Sequence, residues 1–549
     1  VISDPLEDPL YYLKNFQHVL DWVAARYADV LNPDEQQFVT GFGQLPGASQ
    51  ALWVRMAMRK GAHFRASKLN YPEIGDTRSA ATALLTHGWV CDRAPLALVE
   101  VFDVLTKPEI LGRFGPHLAQ PKGKKSEWLD ELTAEFTQPQ SMAEWHPALD
   151  EHLYTLNHRA LCDRLRLMFF GNLSQGWSDL VLADLGLFNY EKVDFSPESR
   201  ALRSRPDIDG YLHLYACREQ FEAGGDTDEV LAQILDYHTD NRWLQRRRAR
   251  LLFQLGQYHE RAGALALALQ VYRHSGYAEA RLRIVRVLEL LGEYAQALAL
   301  TEPCEDAPFS DAEEQQLLRV LPRLRRKLGL AALARPKVVP IERLDLSLER
   351  NEALSVEFKV VSHLQAPEAP VYYVENTLIN GLFGLLCWPA IFAPLPGAFF
   401  HPYQSGPADL LDQDFYPRRA ALFDACLAQL DSGDYLDTIR TTYAAKFGVQ
   451  SPFVAWDYVS GSLLEDALLC LPPEHLKVWF RRLLQDIKTN RAGMPDLIQF
   501  WPAQKTYRMI EVKGPGDRLQ DNQLRWLALC EQHKMPVTVC YVQWQEPGA

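Results

Sequence analysis

The most constraining feature of this sequence is a change of period near its C-terminus. Leu497 to Trp501 and Tyr507 to Val512 read as two strands joined by a turn, Arg518 to His533 as a helix, and Val537 to Val542 as a third strand. This succession makes a small mixed α/β core, because a half-apolar strand face must be buried against another layer. Upstream the period is different. From 153 to about 330, apolar residues recur at helical spacing with almost no strand candidate, and the first 140 residues also read as mostly helical.

Two short helices are expected within 105–132, flanking Pro121-Lys122-Gly123-Lys124-Lys125. Further on, Leu255-Gly256-Gln257-Tyr258 recurs as Leu291-Gly292-Glu293-Tyr294, 36 residues later, each followed by an Ala-rich segment. That period is close to the ~34 residues of a tetratricopeptide unit, and small residues at helical spacing let helices pack closely. Two copies fall short of the roughly three that a solenoid needs, so an ordinary helical bundle with two similar turns is the alternative. After the Pro-rich step Ala334-Arg335-Pro336-Lys337-Val338-Val339-Pro340, turns and strand-like segments take over, which places a domain boundary near 335 to 345.

Composition excludes several classes. At 549 residues the chain needs several domains, and its 47% hydrophobic and 23% charged content is that of a globular protein. The longest apolar run, Leu378 to Phe392, is broken by Asn380, Gly381, Gly384 and Pro389 and is too short to cross a bilayer. No membrane span is expected. Val1 to Leu10 carry acids and no basic n-region, so no secretory signal is read there. Nine cysteines without a Cys-x-x-Cys pair fit a reduced cytoplasmic chain and argue against structural zinc. The net charge of −13 would repel nucleic acid unless the basic residues are clustered, and they are.

The chemistry-bearing constellation lies in the C-terminal core. Hydrolysis of a phosphodiester with a hard divalent ion needs clustered carboxylate oxygens for the metal and a positive group for water and phosphate. Asp496 begins one strand; Glu511 and Lys513, two apart, share a face of the next, and the Val512 carbonyl between them is a further candidate ligand. The bare string Pro-Asp followed by Glu-x-Lys arises by chance in on the order of one chain in ten. Context separates this copy from the others: Pro33-Asp34 and Pro206-Asp207 have no such partner, and Glu357-Phe358-Lys359 follows no Pro-Asp strand and reads as a decoy. In the following helix Gln523 falls on the stripe of Leu519, Trp526 and Cys530, so its amide is placed under the carboxylates or, alternatively, bonded to backbone at the helix end.

The strings Arg491-Ala-Gly-Met-Pro-Asp-Leu, Glu511-Val-Lys-Gly-Pro-Gly-Asp-Arg-Leu and Gln523-Leu-Arg-Trp-Leu resemble the VRR-NUC branch of the PD-(D/E)XK nucleases. With the stretches starting at His158 and Val374, the whole chain resembles the Fanconi-associated nuclease family, in a bacterial form. The resemblance implies a further metal-ligand carboxylate N-terminal to the sheet, at Glu375, and an acidic supporting residue at Asp517. Independently, Glu375 is spaced to share a helical face with Ile379, Leu382 and Leu386, where a carboxylate is costly unless paired or metal-bound; capping of the first helical turn is the alternative.

Duplex binding needs lysines and arginines on phosphates. Candidates are Arg55, Arg59, Lys60, Arg65 and Lys68, interleaved with Trp53, Phe64 and Tyr71; Lys122, Lys124 and Lys125, before a helix N-terminus in a segment that resembles an SAP motif; and Arg481, Arg482, Lys488 and Arg491, just before Asp496. Clusters around Arg242 to Arg250 and Arg323 to Lys327 are further candidates, each also readable as a solvated helix face.

The expected architecture is multidomain and mainly α: a helical DNA-binding domain (1–100), an SAP-like segment (101–140), a helical, tetratricopeptide-like domain (141–335) and a C-terminal α/β PD-(D/E)XK domain of VRR-NUC type (336–549). Resemblance implies a structure-specific 5′-flap endonuclease with 5′-to-3′ exonuclease activity in DNA repair, including interstrand cross-link repair. One or two Mg²⁺ or Mn²⁺ ions would be held by Glu375, Asp496, Glu511 and the Val512 carbonyl. Branched or flapped DNA is the expected partner, with protein partners at the repeat-like helices, in the bacterial cytoplasm at the nucleoid, or in the nucleus of a eukaryote. A four-way-junction resolvase and a non-catalytic helical DNA-binding scaffold are the alternatives.

Overall fold

The computed structural model describes residues 8–177, 188–306, 308–332, 341–350 and 354–545; the Pro-rich step at 334–340 and the first seven residues lie outside them. The chain falls into two units, one of residues 1–188 with 202–208 and one of residues 189–201 with 209–549. The helices from 209 onward and the α/β core belong to the second unit.

In the first unit, helices Tyr11–Arg26, Pro33–Gln44 and Gly47–Ala57 close on an aromatic core in which Phe16, Phe38, Phe42, Trp53 and Trp89 lie ring against ring, Phe38 and Trp89 at 4.7 Å. Rings this large bury much apolar area and favour tilted contacts. Beside the expected helices there is a small sheet. A three-stranded antiparallel sheet is present, β1 (His63–Arg65), β2 (Val90–Cys91) and β3 (Leu153–Leu156), in the order β1-β3-β2. Strands of two to four residues are too short to show a period of two, so only pairing over a long sequence separation creates them. Beside them, Lys107–Phe114 and Lys125–Thr133 are the two expected short helices, packed with Leu98–Val104 and Met142–Trp145 around Phe102, Phe114, Trp128 and Trp145.

The second unit contains a run of helices, Arg242–Arg261, Leu265–Ser275, Ala280–Leu291, Tyr294–Asp306 and Asp311–Lys327, each packed on the next. The helical array is therefore present, but the two Leu-Gly-x-Tyr strings are not equivalent in it. Gly256 sits inside a helix, where a Cβ would lie 2.6 Å from the Tyr272 ring, whereas Gly292 ends a helix at φ +80°. The structural counterpart of Gly292 is Gly263, φ +79°, which precedes the next helix by two residues, as Gly292 does. The repeated glycines serve two purposes, close packing in one copy and a left-handed helix end in the other.

The α/β core is a five-stranded sheet of β4 (Glu342–Leu348), β5 (Val371–Tyr373), β6 (Leu497–Trp501), β7 (Thr506–Lys513) and β8 (Val537–Trp544), in the order β4-β8-β7-β6-β5. β7 and β8 are parallel and joined through helix Asp521–Gln532, while β6 runs antiparallel to both β7 and β5. The two faces alternate as the pleat demands. Ile498, Phe500, Tyr507, Met509, Val537 and Val539 meet Trp479, Phe480 and Trp526 on one side; Leu497, Ile510, Val512, Cys540 and Val542 meet helix Val356–Leu364 on the other. The apolar run at 378 becomes helix Leu378–Leu386, every residue of it buried in the first of these cores. Among the described residues no helix is long and apolar enough to cross a membrane, and all eight cysteines with described side chains are free thiols.

Candidate active site

β7 outruns its neighbour. β6 pairs with it from Trp501↔Thr506 to Leu497↔Ile510, so Glu511, Val512 and Lys513 extend past the end of that ladder. Asp496 fills the gap with its side chain, since its Oδ2 accepts the Val512 N–H at 2.8 Å, while its own carbonyl accepts Val374 N–H at 2.8 Å. A short carboxylate at the strand mouth thus replaces a backbone acceptor and is fixed by it. The other Pro-Asp pairs do ordinary helix-start work, Pro33 as the first residue of its helix and Asp207 accepting N–H groups of Arg203 and Ser204.

Glu511 and Lys513 project to the face shared with Tyr507 and Met509, as alternation requires. Glu511 is completely buried. Its Oε1 takes two donors, Lys513 Nζ at 2.7 Å and Gln523 Nε2 at 2.7 Å, while its Oε2 is buried with no hydrogen-bond partner. Burial first, then the charge of Asp496, pushes Glu511 up to about 8 against the pull of Lys513. Burial also lifts Asp496 to about 6, opposed by the Val512 N–H and aided by the charge of Glu375. The structure brings Gln523 onto Glu511 and also to the helix end: its Oε1 accepts Gln520 N–H at 2.9 Å while its Nε2 serves the carboxylate. Both readings of that amide hold at once, one per end of the side chain.

One expectation is corrected. Glu375 is neither helical nor buried; it is exposed in the turn between β5 and helix Leu378–Leu386, its Oε2 accepting the Tyr373 hydroxyl at 2.5 Å. The i, i+4 stripe was real for Ile379 and Leu382, but the helix starts three residues after Glu375. Glu375 nevertheless stands close enough for its charge to act on both Asp496 and Glu511. The supposed decoy, Glu357, also acts on Asp496 electrostatically. It lies on helix Val356–Leu364, so Glu-x-Lys there is not a strand motif, and Lys359 is turned away, its Nζ donating to the Glu349 carbonyl at 3.0 Å. The string at 357–359 is thus no second copy of the strand motif. Asp517 is exposed and closes the turn after β7, its Oδ2 accepting Gly514 N–H at 2.9 Å.

The chemistry of this donor set fits a hard cation. An anionic oxygen buried without a partner, beside a second desolvated carboxylate, is expensive unless positive charge offsets it. Glu511 Oε2 and Asp496 are those oxygens, with Glu375 and Glu357 at the rim. As they stand, no three His, Cys, Asp or Glu side chains among the described residues close tightly enough to hold a metal.

The basic candidates divide sharply. Arg55 donates to Glu73 at 2.9 Å and lies 3.9 Å from the Tyr12 ring; Arg65 is held between Glu109 at 2.8 Å and Glu151 at 3.0 Å. Lys125 Nζ donates to the Phe102 and Leu105 carbonyls, and Glu127 already occupies the Lys124 N–H at that helix start. Arg482 is buried against Trp526 and Asp311, so it is a core guanidinium. Lys488 pairs with Glu279 at 2.5 Å. Arg59, Lys60, Lys68, Lys122, Lys124 and Arg481 are exposed, and Arg491 is half-buried. Of the central cluster, Arg246 pairs with Asp412 and Asp414, and Arg248 donates to the Ile234 carbonyl.

Comparison with known proteins decides the family. Residues 430–544 match the VRR-NUC domain, 10–91 the FAN1 HTH domain and 95–145 the Fanconi anemia-associated nuclease SAP domain. The chain is 54% identical to the Fanconi-associated nuclease 1 homolog of Pseudomonas aeruginosa over 99% of its own length and 98% of that protein's. It belongs to the Fanconi-associated nuclease family. It is accordingly a nuclease, a hydrolase acting on DNA. The Homo sapiens Fanconi-associated nuclease 1 is 24% identical, and this chain, 97% of which is aligned, spans 62% of that longer protein. A crystal structure of paFAN1 bound to 2-nt 5′-flap DNA with a gap matches with TM-score 0.88 and 53% identity, over 99% of this chain and all of that one.

Proposed function

We propose that this nuclease is structure-specific: it cuts branched DNA near a 5′ flap, with 5′-to-3′ exonuclease action on the exposed end, in DNA repair that includes interstrand cross-links. The observation that carries the chemistry is Glu511, one oxygen saturated by Lys513 and Gln523 and the other buried without a partner beside Asp496. Similarity to a protein crystallised on flap DNA supports the substrate, and favours it over a four-way junction. Mg²⁺ or Mn²⁺ at Asp496, Glu511, Glu375 and the Val512 carbonyl would keep the carboxylates ionised and acidify a water for attack.

The chain's own residues do the rest. Asp496 is aimed by the Val512 N–H, and Glu511 by Gln523, so neither carboxylate has to be ordered when substrate arrives. Lys513 is the positive side chain bonded to Glu511; it orients the attacking water and offsets charge building on the phosphate. The water oxygen gives up a proton and bonds to phosphorus, the ester P–O bond breaks, and the departing oxygen takes up a proton. Exposed Arg59, Lys60, Lys68, Lys122, Lys124 and Arg481, with half-buried Arg491, are the duplex-binding candidates; the ion-paired Arg55, Arg65 and Lys488 would have to exchange carboxylate for phosphate. The test is labelled 5′-flap and four-way-junction DNA with Mg²⁺ or Mn²⁺. Flap cleavage abolished by Asp496→Ala is expected; preferential junction cleavage, or an Asp496→Ala variant as active as the parent, overturns the reading.

A further inference from the structure

The exposed Glu375 has the least support of the carboxylates at the site, yet the turn that carries it is pinned to the loop carrying Asp496. Four hydrogen bonds make the connection. Val374 N–H donates to the Asp496 carbonyl at 2.8 Å, Met494 N–H donates to Asn376 Oδ1 at 3.1 Å, and buried Asn380 uses one amide nitrogen to reach both the Asn376 carbonyl at 2.7 Å and the Arg491 carbonyl at 2.9 Å. Asn376 adopts φ +53°, a left-handed conformation that Asn tolerates better than most residues, which turns its side chain back towards the loop. On the other side of Glu375 the Tyr373 hydroxyl donates to Oε2 at 2.5 Å, and the Tyr373 ring stacks at 5.5 Å on Phe358, the neighbour of Glu357. Tyr373 is itself fixed by the sheet, paired with Leu497 next to Asp496.

We infer that Tyr373 and Asn376 are positioning residues for the metal-carboxylate arm, Tyr373 fixing the Glu375 carboxylate and Asn376 latching its turn to the Asp496 loop. The inference rests on the reading of Glu375 as a metal carboxylate. Its logic is entropic and electrostatic. An exposed glutamate left to itself samples several rotamers, and each must be given up when a cation binds. The Tyr373 hydroxyl on Oε2, the Asn376 amide donating to Oε1 at 3.2 Å and a latched backbone remove that cost beforehand. Groups that orient metal ligands in this way are typically worth about 10- to 100-fold in metal affinity.

The experiment uses the full chain and three variants, Tyr373→Phe, Asn376→Gly and Glu375→Gln. Glycine at 376 keeps the left-handed backbone available and removes only the side chain. Mn²⁺ affinity is read by electron paramagnetic resonance of the free ion, and the Mn²⁺ concentration for half-maximal flap cleavage is read alongside. Tyr373→Phe and Asn376→Gly are each expected to weaken Mn²⁺ about 10-fold and to recover cleavage at high Mn²⁺; Glu375→Gln is expected to weaken it more without recovery. If Glu375→Gln weakens Mn²⁺ and the other two do not, the positioning role is refuted while the metal-carboxylate reading stands. If Glu375→Gln binds Mn²⁺ like the parent chain, that underlying reading fails and takes the inference with it.

Discussion

Removing the charge of Asp496 while keeping its shape should make the metal-free protein more stable and the enzyme inactive. In Asp496→Asn the amide oxygen can still accept the Val512 N–H that Asp496 Oδ2 accepts at 2.8 Å. What is lost is a carboxylate whose pKa burial has raised from 3.8 to about 6. The sign follows from proton linkage: the folded state holds this proton more tightly than the unfolded chain, so stability is highest at low pH, falls as pH rises through 3.8, and levels off above 6. The full penalty is about 3 kcal/mol at pH 8, at ~1.4 kcal/mol per pKa unit, and about half of that at pH 5. Asp496→Asn should therefore exceed the parent by about 2–3 kcal/mol at pH 8 in urea unfolding with chelator present, and by about half as much at pH 5. Excess Mg²⁺ or Mn²⁺ should shrink the gap by stabilising the parent alone. The physical account would be refuted by an Asn variant no more stable than the parent at pH 8, or by a gap that does not change between the two pH values.

Glu35 is fully buried with Arg164 at 2.5 Å and Arg205 at 2.8 Å, and although burial opposes it, their hydrogen bonds hold it below its ordinary pKa. Glu35→Ala should cost about 3–5 kcal/mol, seen as early unfolding of the helical N-terminal unit with the nuclease core intact by hydrogen exchange. Arg59 and Lys60 are exposed and Arg65 is not free, so the double change Arg59→Ala, Lys60→Ala should leave stability within about 0.5 kcal/mol and flatten the salt dependence of flap binding, whereas Arg65→Ala should show its first effect in unfolding. Equal loss of DNA affinity from both changes at unchanged stability would contradict this division.

The strands β6, β7 and β8 and the helix between the last two were legible because each repeats its period over five or more residues and is bounded by turn residues. The short sheet of the N-terminal unit was not, since two to four residues carry no period. Among the basic clusters, sequence gave charge but not partners. Arg482 and Arg481 are adjacent, and one is buried under Trp526 while the other is exposed, because a helix turns about 100° per residue and only one of them faces the core. The equivalence of the Leu-Gly-x-Tyr strings was likewise decided by neighbours, with Gly256 needed by the Tyr272 ring and Gly292 by a helix end.

By itself the sequence determined that Glu511 and Lys513 share a face, that Asp496 opens the preceding strand, and that the core around them is α/β, because strand alternation and turn chemistry act over a few residues. Only the tertiary structure decided the electrostatics of the site: that Gln523 and Lys513 both spend themselves on one oxygen of Glu511, that Glu375 stands in a turn outside its helix, and that Glu357 joins from a segment read as a decoy. Those facts depend on desolvation, on charges brought together from positions 357, 375, 496, 511 and 513, and on the amide of Gln523. No local pattern encodes such distances; they appear when the sheet closes and water leaves.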